Sequence, residues 1–247
     1  MAASDPAVPA PVPAPPDRPP PLAADVVHLW HADLDDDAAA AGAAPLAADE
    51  RARAERMAPT PRRRFERSRG LLRTILGGYL ERDPAALRFA LRGEGKPELA
   101  DPSSPPIRFN LSHAAGRWLL AVSYLEVGVD VERTDRPVDV ERVARRVLRP
   151  AEASTILDLR GDERRRAFFR AWTGREALVK ARGEGMFTLS LAAEMDVRPD
   201  RGPRLTGDAA AEWTLIAVPA VGDACAALAA RGRVTRVEAF RVGEEAS

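Results

Sequence analysis

Two short segments of this chain carry residues whose types and spacing can do chemistry. The first is Gly128-Val-Asp130-Val-Glu132, and the second is Trp172-Thr-Gly-Arg-Glu176-Ala-Leu-Val-Lys180. On a strand, Asp130 and Glu132 point to one face because side chains alternate with period two. On a helix, Trp172, Glu176 and Lys180 share one stripe, since residues four apart lie one above the other. Three carboxylates and one ammonium can therefore converge. Three hard oxygen donors that leave coordination positions open suit a Mg2+ ion working on a phosphate or pyrophosphate.

The lysine carries its own signal. Of 37 basic side chains, only Lys96 and Lys180 are lysine; the other 35 are arginine. A position that stays lysine against that background needs something a guanidinium cannot supply, and proton transfer near neutrality is one such thing. Taken alone, Glu176 and Lys180 also read as an ordinary i,i+4 surface pair worth roughly 0.2–0.5 kcal/mol. Beside the upstream acids, the functional reading is favoured.

The rest of the chain must position these groups. With 247 residues and 45% hydrophobic content it can bury a substantial core. Formal net charge is zero and aromatic content 5%, which argues against a nucleic-acid coat or an anionic-membrane binder. The single cysteine, Cys225, excludes an intramolecular disulfide and reads as a packed structural residue. No transmembrane run is visible, and the N-terminus lacks basic residues ahead of a hydrophobic core, so the cytoplasm is the expected location.

Residues 1–22 are rich in alanine and proline and are expected to form a disordered tail. An N-terminal subdomain, 23–125, should open with a strand at Val26–Trp30. An alanine-rich helix toward Met57 follows, then a helix over 62–80 with Phe65, Leu72, Leu76 and Leu80 on its apolar side, and a short strand at Leu87–Leu91. Two strands at Ile107–Leu111 and Trp118–Ser123 should bracket a Ser112-His113 loop. A C-terminal subdomain, 126–247, repeats the order. It comprises a strand at Val127–Glu132, helices around 138–148 and 150–159, the motif helix over 164–182, and strands near Ser190, at 213–218, 224–229 and 236–242. The expected fold class is α+β, a pseudo-duplicated monomer with its functional cleft between the halves.

With these residues in place, the chain resembles the Sfp-type 4′-phosphopantetheinyl transferases. Gly128 to Glu132 and Trp172 to Lys180 look like the family's paired signature. Gly95-Lys96-Pro97, Phe109-Asn-Leu-Ser112-His113 and Arg182-Gly183-Glu-Gly185 look like its flanking motifs, in the right order over roughly residues 62 to 190. The resemblance implies transfer of the phosphopantetheine arm of coenzyme A to a serine of an acyl or peptidyl carrier protein, with release of 3′,5′-ADP. It implies Asp130, Glu132 and Glu176 as ligands of Mg2+, or of Mn2+. Glu176 would also be the general base, and Lys180 would neutralise and protonate the leaving group. Lys96, Pro97, Ser112, His113, Asp130 and Lys180 would contact coenzyme A, with Arg62, Arg63 and Thr74 in looser register.

The chain departs from the family pattern at Arg175, where lysine is usual; arginine should keep a phosphate or carboxylate contact. Gly174 inside the motif helix costs about 1 kcal/mol against alanine. Asp35, Asp36 and Asp37 read as a solvated charge run, His28 as packed, His31 as exposed, and Trp172 as a core anchor. Arg145, Arg146 and Met186-Phe187 are candidates for a carrier-docking rim. The pathway served by the carrier, whether fatty acid, polyketide or nonribosomal peptide, is not legible. The alternative function is a catalytically idle coenzyme A or carrier-binding module of the same fold; an unrelated Mg2+-dependent phosphohydrolase would leave the Lys96 and His113 motifs without a purpose.

Overall fold

A computed structural model of the chain describes residues 6–37, 45–93, 95–101, 103, 106–184, 193–200, 202–219 and 223–242. In chain order the elements are β1 (Val12–Pro13), β2 (Val26–Asp33), α1 (Ala48–Ala54), α2 (Pro59–Leu80), β3 (Phe89–Arg92), β4 (Lys96–Leu99), β5 (Arg108–Ala114), β6 (Arg117–Ser123) and β7 (Val127–Arg133). They continue with α3 (Val140–Val147), α4 (Pro150–Leu157), α5 (Gly161–Arg182), β8 (Glu194–Asp196), β9 (Arg204–Thr206), α6 (Asp208–Glu212), β10 (Trp213–Val218), β11 (Ala224–Arg231) and β12 (Arg236–Arg241). The fold is α+β.

Two sheets stack between two long helices. A five-stranded sheet runs β1-β12-β2-β6-β5, and a three-stranded sheet runs β10-β11-β7. Strand alternation sorts the core. Trp30, Ala32, Trp118, Leu120 and Val122 pack with Leu72, Ile75 and Leu76 of α2. Their neighbours Val27, Leu29, Leu119 and Ala121 meet Val127, Val129, Val131 and Leu228 between the sheets. The remaining face of the second sheet, with Leu215, Ala227 and Ala229, packs on Phe168, Ala171, Ala177 and Leu178. Asp130 and Glu132 therefore face α5, because Val129 and Val131 are drawn between the sheets.

Several expectations change. The Ala/Pro-rich segment, expected to form a disordered tail, carries β1, which pairs in parallel with β12, and the Ala14 amide donates to the Arg241 carbonyl at 3.1 Å. Leu22 and Ala14 pack against the α2 core, and Val8 against the core between the sheets. An edge position tolerates proline, which has no amide proton to contribute to a ladder. The last strand, β12, pairs in parallel with β2 and so crosses the boundary expected at 125/126. Ser112 and His113 lie on β5, not in a loop. The ladder with β6 continues to a turn at Ala115 and Gly116, both at positive φ (45° and 90°), which no Asn-Gly signal announces. Strands β4, β8 and β9 and the short α6 were not expected, and the strand expected near Ser190 lies outside the described residues.

Candidate active site at the crossing of β7 and α5

One missing side chain brings the two motifs together. A Cβ on Gly128 would stand 2.2 Å from the Ala177 carbonyl oxygen and 2.3 Å from the Ala181 amide nitrogen, so only glycine lets β7 rest directly on the α5 backbone. Across that contact, Lys180 Nζ donates to Asp130 Oδ1 at 2.6 Å and to Ser112 Oγ at 3.2 Å. Gly174, nearer the start of α5, sits in looser surroundings: a Cβ there would meet only side-chain atoms, Pro203 Cβ at 3.2 Å and Leu215 Cδ2 at 3.3 Å. Gly183, left-handed at φ 72°, ends the helix.

β5 meets β7 along a seam closed by side chains. The Val129 amide donates to Asn110 Oδ1 at 2.9 Å, and the Val131 amide to Ser112 Oγ at 3.3 Å. The Ser112 hydroxyl donates to Asp130 Oδ1 at 2.9 Å. A hydroxyl offers one donor and two acceptor positions, and here Asp130, Lys180 and the Val131 amide use all three. Ser112 thus orients Asp130, and as it stands its hydroxyl has nothing left to offer a phosphate.

The acids crowd one another. Burial pushes the Glu176 carboxyl up to about 7, with Asp130 adding to the shift and Lys180 opposing it. Glu132 is raised by burial and by Asp130, while Arg136 draws it down through a 2.9 Å ion pair. Asp130 is raised by burial even though Lys180 and Ser112 pull the other way. Its Oδ2 is buried without a hydrogen-bond partner among the described residues. An unanswered carboxylate oxygen inside a cluster of mutually repelling acids fits a divalent cation. Among the described residues, no three such side chains are arranged as metal ligands. Lys180 holds Asp130 and Arg136 holds Glu132 instead.

Beside this cluster lies a cavity of about 270 Å³ lined by Arg69, Leu72, Pro97, Phe109–His113 and Lys180. His113 is exposed in it, its pKa lowered by surrounding protein, by Lys180 and by Arg64. Other expected contacts lie elsewhere. Thr74 is buried in α2, its hydroxyl donating to the Gly70 carbonyl at 3.0 Å, and it does not line this cavity. Arg62 pairs with Glu66 at 2.8 Å, and Arg63 lies 3.6 Å from Asp35. Lys96 points away from the acids, to the carbonyls of Val127 and Ala181, each at 2.9 Å.

Arg175 is buried and ion-paired with Glu152, which meets the expectation of a carboxylate contact. The acid run is not simply solvated: Asp35 binds Arg64 and Asp37 binds Arg67, both on α2. His28 is buried, as expected. His31, expected to be exposed, is partly buried, with Nε2 lacking a hydrogen-bond partner among the described residues and its pKa lowered to about 4 by burial. Trp172 packs on Phe168, with Arg136 stacked over its ring. Arg145 is exposed and paired with Glu141, while Met186 and Phe187 lie outside the described residues. Sequence reading missed Arg69 and Arg136. Arg69 stands one turn before Arg73 on the face of α2 that holds Glu50, and Arg136 follows Glu132 by four residues, a spacing that could have flagged it.

The profile of the 4′-phosphopantetheinyl transferase superfamily matches residues 126–229, the stretch that holds β7 and α5. Over 216 residues the chain is 37% identical to 4′-phosphopantetheinyl transferase HetI of Nostoc sp. (strain PCC 7120 / SAG 25.82 / UTEX 2576), covering 85% of this chain and 90% of that protein. It is 33% identical over 134 residues to 4′-phosphopantetheinyl transferase Sfp of Bacillus subtilis (strain 168), covering 50% and 58% respectively. To the L-aminoadipate-semialdehyde dehydrogenase-phosphopantetheinyl transferase of Xenopus laevis it is 30% identical over 139 residues, covering 52% and 46%. The chain belongs to the 4′-phosphopantetheinyl transferase family and is a transferase of that class. Among the described residues no helix is long and apolar enough to cross a membrane.

Proposed function

We propose that this protein transfers the 4′-phosphopantetheine arm of coenzyme A to a serine hydroxyl of an acyl or peptidyl carrier protein, releasing 3′,5′-ADP. The observation that carries this reading is the Gly128 contact, which sets Glu176 and Lys180 of α5 against Asp130 and Glu132 of β7. In the reaction the serine oxygen bonds to the phosphorus that bears the pantetheine arm, the pyrophosphate P–O bond breaks, and its electrons leave with 3′,5′-ADP.

Glu176 takes the serine proton, directly or through a water. Lys180, one turn further along α5, places positive charge on the pyrophosphate and donates a proton to the departing phosphate. Asp130, Glu132 and Glu176 would hold Mg2+ or Mn2+. A bound cation would neutralise charge developing on the pyrophosphate and draw the Glu176 pKa down. Pro97, His113 and Arg69 border the cavity beside Lys180, where the nucleotide of coenzyme A would lie. The protein would work as a cytoplasmic monomer, and an acidic carrier helix would meet the exposed face of α3 that carries Arg145 and Arg146.

The test is the intact mass of a purified apo carrier protein after incubation with this protein, coenzyme A and Mg2+. One added phosphopantetheine is expected, lost with Glu176→Gln and with chelator. No gain across several carrier types, despite measurable coenzyme A binding, would sink the transferase reading and leave a binding module.

A further inference from the structure

The Lys96 ammonium has three protons, and all three are used inside the protein. Nζ donates to the Val127 carbonyl and the Ala181 carbonyl, each at 2.9 Å, and to Glu126 Oε2 at 3.4 Å, and the side chain is only 6% exposed. These acceptors come from two segments, the start of β7 and the end of α5. Val127 begins β7, three residues before Asp130; Ala181 follows Lys180 near the end of α5. Lys96 itself sits on the β3–β4 hairpin, whose turn also lies against this helix end: a Cβ on Gly93 would stand 2.4 Å from the Gly183 carbonyl oxygen. Glu126 is in turn gripped by Arg92 at 2.7 Å and Arg108 at 3.2 Å.

We propose that Lys96 is a positioning residue: it clamps the start of β7 to the end of α5 and so sets the separation between Asp130 with Glu132 and Glu176 with Lys180. The geometry accounts for a lysine here in a chain that otherwise uses arginine. A compact ammonium donates in three tetrahedral directions and fits between two main-chain carbonyls and a carboxylate, whereas a planar guanidinium fork does not. It also places a cation on a carbonyl of the final turn of α5, where the helix dipole favours positive charge. The clamp acts beside the Gly128–Ala181 contact, so glycine permits the close crossing and Lys96 holds it. This assignment rests on the transferase reading and replaces a direct contact of Lys96 with the nucleotide.

Lys96→Arg is the discriminating variant, because it keeps the charge and would preserve a phosphate contact while losing the three-point fit. Per folded molecule, as judged by circular dichroism well below the unfolding midpoint, kcat for carrier modification should fall about tenfold to a hundredfold. The Mn2+ concentration for half-maximal binding should rise, measured by titration of the protein without coenzyme A. The Kd for coenzyme A should change by less than about threefold. Lys96→Met should move kcat and Mn2+ binding the same way. Unchanged kcat and Mn2+ binding in both variants, or coenzyme A affinity about tenfold weaker in Lys96→Met with the other two intact, would overturn the assignment. Failure of the transferase reading would show in the wild type alone, as absence of carrier modification; failure of this inference shows only in the difference between wild type and variants.

Discussion

Replacing Gly128 by alanine should separate the two motifs without altering any of their four charged groups, Asp130, Glu132, Glu176 and Lys180. The added methyl would lie 2.2 Å from the Ala177 carbonyl oxygen, 2.3 Å from the Ala181 amide nitrogen and 2.9 Å from its Cα. All three are backbone atoms of a packed helix, so no rotamer change relieves the clash. Restoring ordinary contact distance requires β7 to retreat from α5 by about 1 Å. Asp130 lies two residues along that strand, and its 2.6 Å hydrogen bond to Lys180 would stretch past the useful range. The expected cost is about 1–3 kcal/mol of stability, as for overpacked cores. Misplacing catalytic groups by that distance should lower kcat/KM about a hundredfold.

Gly174→Ala is the control. Its methyl would meet side-chain atoms of Pro203 and Leu215 at 3.2–3.3 Å, which can yield by a few tenths of an ångström, and alanine gains about 1 kcal/mol of helix propensity. Urea unfolding and initial rates of carrier modification measure both variants. A Gly128→Ala protein as stable as wild type and within about threefold of its rate would refute the close-contact argument.

Two further outcomes follow from the cores. His31 has its pKa lowered to about 4 by burial, and His28 is lowered in the same direction, so the unfolded chain binds more protons than the folded one below the unperturbed value of 6.5. Their stability contribution is therefore full above pH 6.5 and is lost as pH falls toward 4. Between pH 7 and pH 5, His31 alone should account for roughly 2 kcal/mol in urea unfolding, and His31→Asn should remove that part of the slope. Deleting residues 1–22 removes β1 and the apolar contacts of Val8, Ala14 and Leu22. It should cost about 2 kcal/mol, a thermal midpoint lower by roughly 5 °C, and an unchanged midpoint would restore the disordered-tail reading.

The features legible in the residues lie within single elements. Period-two alternation placed Asp130 and Glu132 on one face of β7, and helical spacing put Glu176 and Lys180 on one stripe of α5; both hold because backbone geometry repeats locally. The strand at 213–218 matches its expected bounds for the same reason. Which elements meet is set by packing between distant parts of the chain. The Pro-rich segment finds an edge on β12, and β12 crosses to β2, because strand pairing satisfies backbone groups of residues far apart in the chain. Ser112 saturates its hydroxyl on Asp130 and Lys180, and Lys96 turns its ammonium to Val127 and Ala181. Neither choice is visible in the residues alone, since a buried donor goes to whatever acceptors the packed chain leaves within reach.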